Sequence, residues 1–139
     1  SAAAMALSNL EMRISHTSFS SPTIHVTLRN NSPSTTFTIL TWDTPFDSKA
    51  VALGVFHVQD VAASTELPSL NLKINRKLPP SREALVELAP GKELGQDVKF
   101  EEPFMKLEKG KEYRVQAKGR WKGVWPVVAT DVKDDDLTA

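Results

Sequence analysis

Apolar and polar residues alternate with a period of two along the chain, and no window of about 11 residues or more keeps a helical stripe. A chain patterned in this way presents every second side chain on one face of a strand, so its apolar half is buried only by pairing strands and stacking sheets. Leu10, Met12 and Ile14 alternate with Glu11, Arg13 and Ser15 until Ser20-Ser21-Pro22 breaks the run. Ile24, Val26 and Leu28 alternate with His25, Thr27 and Arg29 in a second strand that Asn30-Asn31-Ser32-Pro33-Ser34 ends in a turn, and these first two strands are expected to pair as a hairpin. Thr36 to Trp42 is apolar on both sides, as in a central strand. Asp43-Thr44-Pro45-Phe46-Asp47 reads as a turn, Val51 to Val58 as extended, and 63–69 as a Ser/Thr/Pro loop. Leu70, Leu72 and Ile74 alternate up to Pro79-Pro80-Ser81. Ala84 to Leu88 follows, then the Pro90-Gly91 turn, a strand with Val98 and Phe100, and a last one with Tyr113, Val115 and Ala117. One helical turn is expected at Pro103 to Leu107, stopped by Gly110. Short strands with turns at this spacing predict an all-β fold, an immunoglobulin-like antiparallel β-sandwich of about seven to eight strands. Its core is expected from Ile24, Val26, Leu28, Ile39, Leu72, Val98, Phe100, Tyr113 and Val115.

The chain has 139 residues, enough for one domain with a core of its own. Residues 1–5 are expected to be a cloning remnant and start, residues 6–126 the sandwich, and residues 127–139 an acidic, flexible tail. There is no cysteine, so disulfides, thiolate nucleophiles and Cys-ligated zinc are ruled out. Basic and acidic residues balance at 17 each, which gives no overall field to attract nucleic acid or an anionic membrane, and neither partner is expected. No apolar run reaches the roughly 20 residues of a bilayer span. A cytoplasmic location is expected if Met5 is the natural start, and a secreted one if a signal peptide preceded it.

The residues that carry chemistry are dispersed. His16, His25 and His57 lie singly in strands without a partner at ligand spacing, so no metal or other cofactor is expected. There is no H-E-x-x-H, phosphate-binding Gly-rich loop or G-x-S-x-G elbow, and the chain is expected not to be an enzyme. Asn30-Asn31-Ser32 has the form of a glycosylation sequon, but its place between strands reads as a turn. The tryptophans carry more information. Trp42 stands beside Asp43, Pro45 and Phe46, and Trp121 and Trp125 lie in a Gly-punctuated stretch with Arg120 and Lys122. Alternation stops at both places, so these side chains are least committed to a core, and aromatic anchors beside cations suit a protein-binding surface. The same tryptophans make a carbohydrate-binding module the alternative.

Four passages, in order, resemble one known family. They are Val26-Thr27-Leu28-Arg29-Asn30-Asn31-Ser32, Leu40-Thr41-Trp42-Asp43-Thr44-Pro45-Phe46-Asp47, Leu88-Ala89-Pro90-Gly91-Lys92-Glu93-Leu94, and Leu107-Glu108-Lys109-Gly110-Lys111-Glu112-Tyr113-Arg114-Val115. Together they are similar to the pro-domain of fungal deuterolysin-type and peptidyl-lysine zinc metalloendopeptidases, over about residues 8 to 120. In that family a catalytic domain with H-E-x-x-H follows, which this chain lacks, and secretion is usual. The resemblance implies the sandwich fold and a partner-binding habit. It suggests an inhibitor or folding assistant acting in trans, with a deuterolysin-type metalloprotease as the partner.

Overall fold

The computed structural model describes residues 8–18, 22–68, 76–100, 105–108, 110–117 and 121–138. Among them, nine strands pair antiparallel: β1 (Leu10–Ser18), β2 (Thr23–Asn30), β3 (Phe37–Leu40), β4 (Phe56–Asp60), β5 (Thr65–Glu66), β6 (Leu85–Leu88), β7 (Glu93–Lys99), β8 (Tyr113–Ala117) and β9 (Val124–Trp125). They form three three-stranded sheets, in the orders β1-β2-β7, β6-β3-β9 and β5-β4-β8. The expected hairpin is β1 with β2, in a register that sets Met12 opposite Leu28 and Ile14 opposite Val26. Across β2 the same face continues into β7, where Ile24 meets Val98 and Leu28 meets Leu94. A slip of one residue turns this apolar face outward, so burial fixes the pairing.

One core joins the sheets. Val26 and Leu28 of β2, Ile39 of β3, Phe56 and Val58 of β4 and Leu88 of β6 belong to a single buried cluster. Phe56 meets Phe100 edge to face with ring centroids 5.7 Å apart, a geometry that suits the ring quadrupoles. All four residues of β3 are buried, as its two-sided apolar pattern requires of a central strand. At the head of β8 the Tyr113 hydroxyl accepts the Glu108 backbone N–H at 2.8 Å, tying the strand to the corner before it. Pro90-Gly91 turns β6 into β7, and Gly91 takes a φ of 75° that favours glycine.

The structure departs from the sequence reading in four places. Within the stretch expected to be extended, Ala50–Leu53 forms a one-turn helix, α1, and the strand begins only at Phe56. Leu53 N–H bonds to Lys49 O, and Gly54 closes the turn at a φ of 78°. Tyr113 and Val115 are half-buried and pack against the core from its edge. Met105 to Leu107 carry no helix, where one turn was expected to run from Pro103, itself outside the described residues; the expected core residue Leu72 and the strand around it also lie outside them, so that expectation is neither met nor overturned.

The fourth departure concerns residues 127–139, expected to be a flexible tail. Residues 127–138 dock on the body of the domain through a 3-10 turn (Ala129–Asp131) and the helix α2 (Asp134–Thr138). Val132 is fully buried. Arg82 donates to Val132 O at 2.7 Å and to Asp134 at 3.0 Å, and Glu87 accepts the Ala129 N–H at 2.7 Å. The acidic composition masked two apolar residues, Val132 and Leu137, spaced to meet the body of the domain.

Candidate binding site

The corner after β3 is built around two buried polar side chains. Thr44 is 2% exposed; its hydroxyl donates to Thr41 O at 2.7 Å and accepts the Phe46 N–H at 3.2 Å. The Asp47 carboxylate accepts the backbone N–H of Asp43 and of Lys49, each at 2.9 Å, and the Arg76 guanidinium at 2.7 Å. Three donors on one buried carboxylate fix the path of the loop, since a buried charge is tolerated only when paired and hydrogen-bonded. The bend places Asp43 at a φ of 61°, where a short polar side chain is among the few that sit without large cost.

Asp43 in turn meets Lys122, with Oδ2 and Nζ 2.5 Å apart. Both side chains are substantially exposed, so the pair adds about 1 kcal/mol or less to stability. Its effect is positional, since it links the corner to the segment that leads into β9. There Trp125 pairs with Thr38 across the β3–β9 ladder, and the Thr38 hydroxyl donates to Val127 O at 2.7 Å. The Trp125 ring lies over the backbone of Gly123, where a Cβ would stand 2.3 Å from Cη2.

Trp42, Lys122 and Trp125 thereby line a common cleft of about 430 Å³. Leu40, Pro79 and Pro80 contribute to it, Leu137 of α2 joins them, and Leu78 stands at its lip 74% exposed. A large apolar side chain is thus left in water beside two half-exposed tryptophans. A second recess, of about 530 Å³, shares Trp42 and Pro79 and contains Arg76, whose guanidinium carbon lies 4.8 Å from the Trp42 ring centroid.

Of the eight residues expected at a binding surface, four come together: Trp42, Asp43, Lys122 and Trp125. Pro45 and Phe46 are corrections. Both are buried, Phe46 within the core cluster, because the Asp47 network folds the corner inward, and at that depth they offer nothing to a docking partner. Trp121 is half-buried and packs against the core cluster, apart from the cleft residues. Arg120 lies outside the described residues. Sequence reasoning missed Arg76, Leu78 and Pro79; an apolar residue between Lys77 and two prolines was the available signal, but it read as the end of a strand.

Among the described residues, no group of three or more His, Cys, Asp or Glu side chains is placed to hold a metal ion. His25 is paired with Asp97 at 2.7 Å, and His57 with Glu66.

A family model for an immunoglobulin-like domain matches residues 9–139, including the docked C-terminal segment. An uncharacterized secreted protein of Arthroderma benhamiae is 34% identical over 103 residues, which cover 73% of this chain and 52% of that protein, so the matched part spans about half the length of the relative. No solved structure matches. These similarities agree with the fold that the deuterolysin-type resemblance implied, and they hold nothing that ties the chain to such a protease.

Proposed function

Because the chain belongs to the immunoglobulin-like domain family, whose fold serves many tasks, we propose from the site itself that it is a non-catalytic protein-binding domain. One observation carries the reading: Trp42, Trp125 and the exposed Leu78 converge on one cleft, with Lys122 and Asp43 paired beside it. Buried aromatic anchors bounded by charged groups are where binding energy concentrates in protein interfaces. The anchors are held by β3, β9 and the Asp47 network, so little ordering accompanies docking. That the Arthroderma benhamiae relative is a secreted protein favours an extracellular setting.

The finer form of the proposal, an inhibitor or folding assistant acting in trans on a deuterolysin-type metalloprotease, is supported by the order of the four motifs. It is tested by titrating such a protease with the intact protein and following peptide hydrolysis. Inhibition at stoichiometric concentration is expected, and Trp125→Ala should weaken it by about 2 kcal/mol or more with the melting temperature nearly unchanged. Trp121→Ala, which acts on the core, is the control that should lower stability and leave the cleft intact. Unchanged hydrolysis at a tenfold excess, about ten equivalents, would retire the protease as partner. Retention on polysaccharide resins that depends on Trp42 and Trp125 would favour the carbohydrate alternative, although leucine and proline in the lining suit a peptide better than a sugar.

A further inference from the structure

The recess beside the cleft has a different chemistry. Arg76 lies against Trp42 and gives one amino group, Nη2, to the buried Asp47 carboxylate. Its other amino group, Nη1, is buried and, among the described residues, donates to no acceptor. A buried donor without a partner is costly, and more so on a charged group, so this atom marks a place where an acceptor is wanted. Lys49 and Lys77 line the same recess, both exposed, and neither ammonium has an ion-pair partner among the described residues. Two carboxylates stand against these three cations, Asp47 and Glu83. Asp47 is already ion-paired with Arg76, so among the described residues of the recess Glu83 is the carboxylate left to oppose an incoming anion. The surplus is one positive charge.

We propose that this recess binds a single carboxylate, presented by an acidic side chain of the protein partner. The carboxylate accepts a charge-assisted hydrogen bond from Arg76 Nη1, with Lys49 and Lys77 supplying the surrounding field. One amino group without an acceptor and a surplus of one positive charge match a singly charged carboxylate better than a doubly charged phosphate. The inference rests on the reading of the adjoining cleft as a protein-docking face, because Trp42 is a wall of both. A partner seated there would place an apolar residue between Trp42 and Trp125 and an acidic residue on Arg76.

Two capped tripeptides, acetyl-Leu-Glu-Leu-amide and acetyl-Leu-Gln-Leu-amide, and inorganic phosphate serve as probes of the intact, 15N-labelled protein. The Arg76 Nε–H and Lys49 amide resonances are followed. The Glu peptide should shift both and bind about tenfold more tightly than the Gln peptide, consistent with a charge-assisted bond. Lys49→Gln combined with Lys77→Gln should weaken the Glu peptide about tenfold without changing the melting temperature, whereas Glu83→Gln should strengthen it. Equal binding of the two peptides would overturn the inference. So would tighter binding of phosphate, which would mark the recess as a free-anion site. Failure of the two readings separates cleanly. If the lysine variant leaves partner binding intact while Trp125→Ala abolishes it, the docking face stands and the carboxylate site falls. If the Glu peptide shifts Arg76 but Trp125→Ala has no effect on the partner, the docking face falls.

Discussion

Asn30 is fully buried at the end of β2, and its amide makes three contacts there. Nδ2 donates to Thr35 O at 2.7 Å and to Leu88 O at 2.9 Å, and Oδ1 accepts the Ser32 N–H at 2.9 Å. Its backbone also joins the Pro90-Gly91 turn, through Asn30 N–H to Lys92 O and Gly91 N–H to Asn30 O. One side chain therefore pins the β2 turn to β6, and the nitrogen that a glycan would need is enclosed in the folded domain. The turn was legible from Asn, Ser and Pro in sequence, but the role was not, because Leu88 stands 58 residues away. Removing the amide leaves buried groups unpaired at about 1–3 kcal/mol each, so Asn30→Ala should cost about 3 kcal/mol or more in a urea titration. A loss of less than about 1 kcal/mol would show that water takes over the contacts.

At the scale of elements, the strands that alternate were readable because burial of one face dictates a period of two, as β2 shows in its alternate buried positions. Ala50-Val51-Ala52-Leu53 was not, since four apolar residues fit a strand or a helical turn equally well. What decides it is the preceding corner, where Asp47 O accepts the Ala50 N–H and starts the coil of the chain. The site divides in the same way. The places where alternation stops pointed to Trp42 and to the segment around Trp125, whereas Arg76 and Leu78 reach the site from a loop whose position only the folded chain sets. β9 gives a test at this scale. A Cβ on Gly123 meets the Trp125 ring at 2.3 Å, so Gly123→Ala should push the indole off the strand. An overpacking cost of about 1–3 kcal/mol is expected, with a loss of partner binding as large as that of Trp125→Ala. Unchanged Trp125 fluorescence would mean that the backbone, not the ring, gives way.

At the scale of the whole molecule, the domain is closed by contacts between distant parts of the chain, and no disulfide shares that task. The segment after β9 is the clearest case. Thr38 and Val127, 89 residues apart, are joined by a hydrogen bond, and Arg82 binds Val132 O across 50 residues. Val132 is wholly buried and Leu137 is 9% exposed, yet four aspartates around them gave the sequence the look of a solvated end. The family match extends to residue 139, which agrees with an integral element. Ending the chain after Pro126 would expose the surface these two residues cover, at about 1.5–3 kcal/mol for each side chain. It would also strip the Thr38 hydroxyl and Arg82 of their acceptors. Against a typical total of about 5–15 kcal/mol, the shortened domain should remain folded but lose a large share of its stability. For a domain of this size a melting temperature lower by about 10 °C is expected by calorimetry. Leu137 also lines the Trp42–Trp125 cleft, so the truncated protein should lose partner affinity even below its melting transition. A melting temperature within about 2 °C of the parent would mean that the segment rests on the sandwich without holding it together.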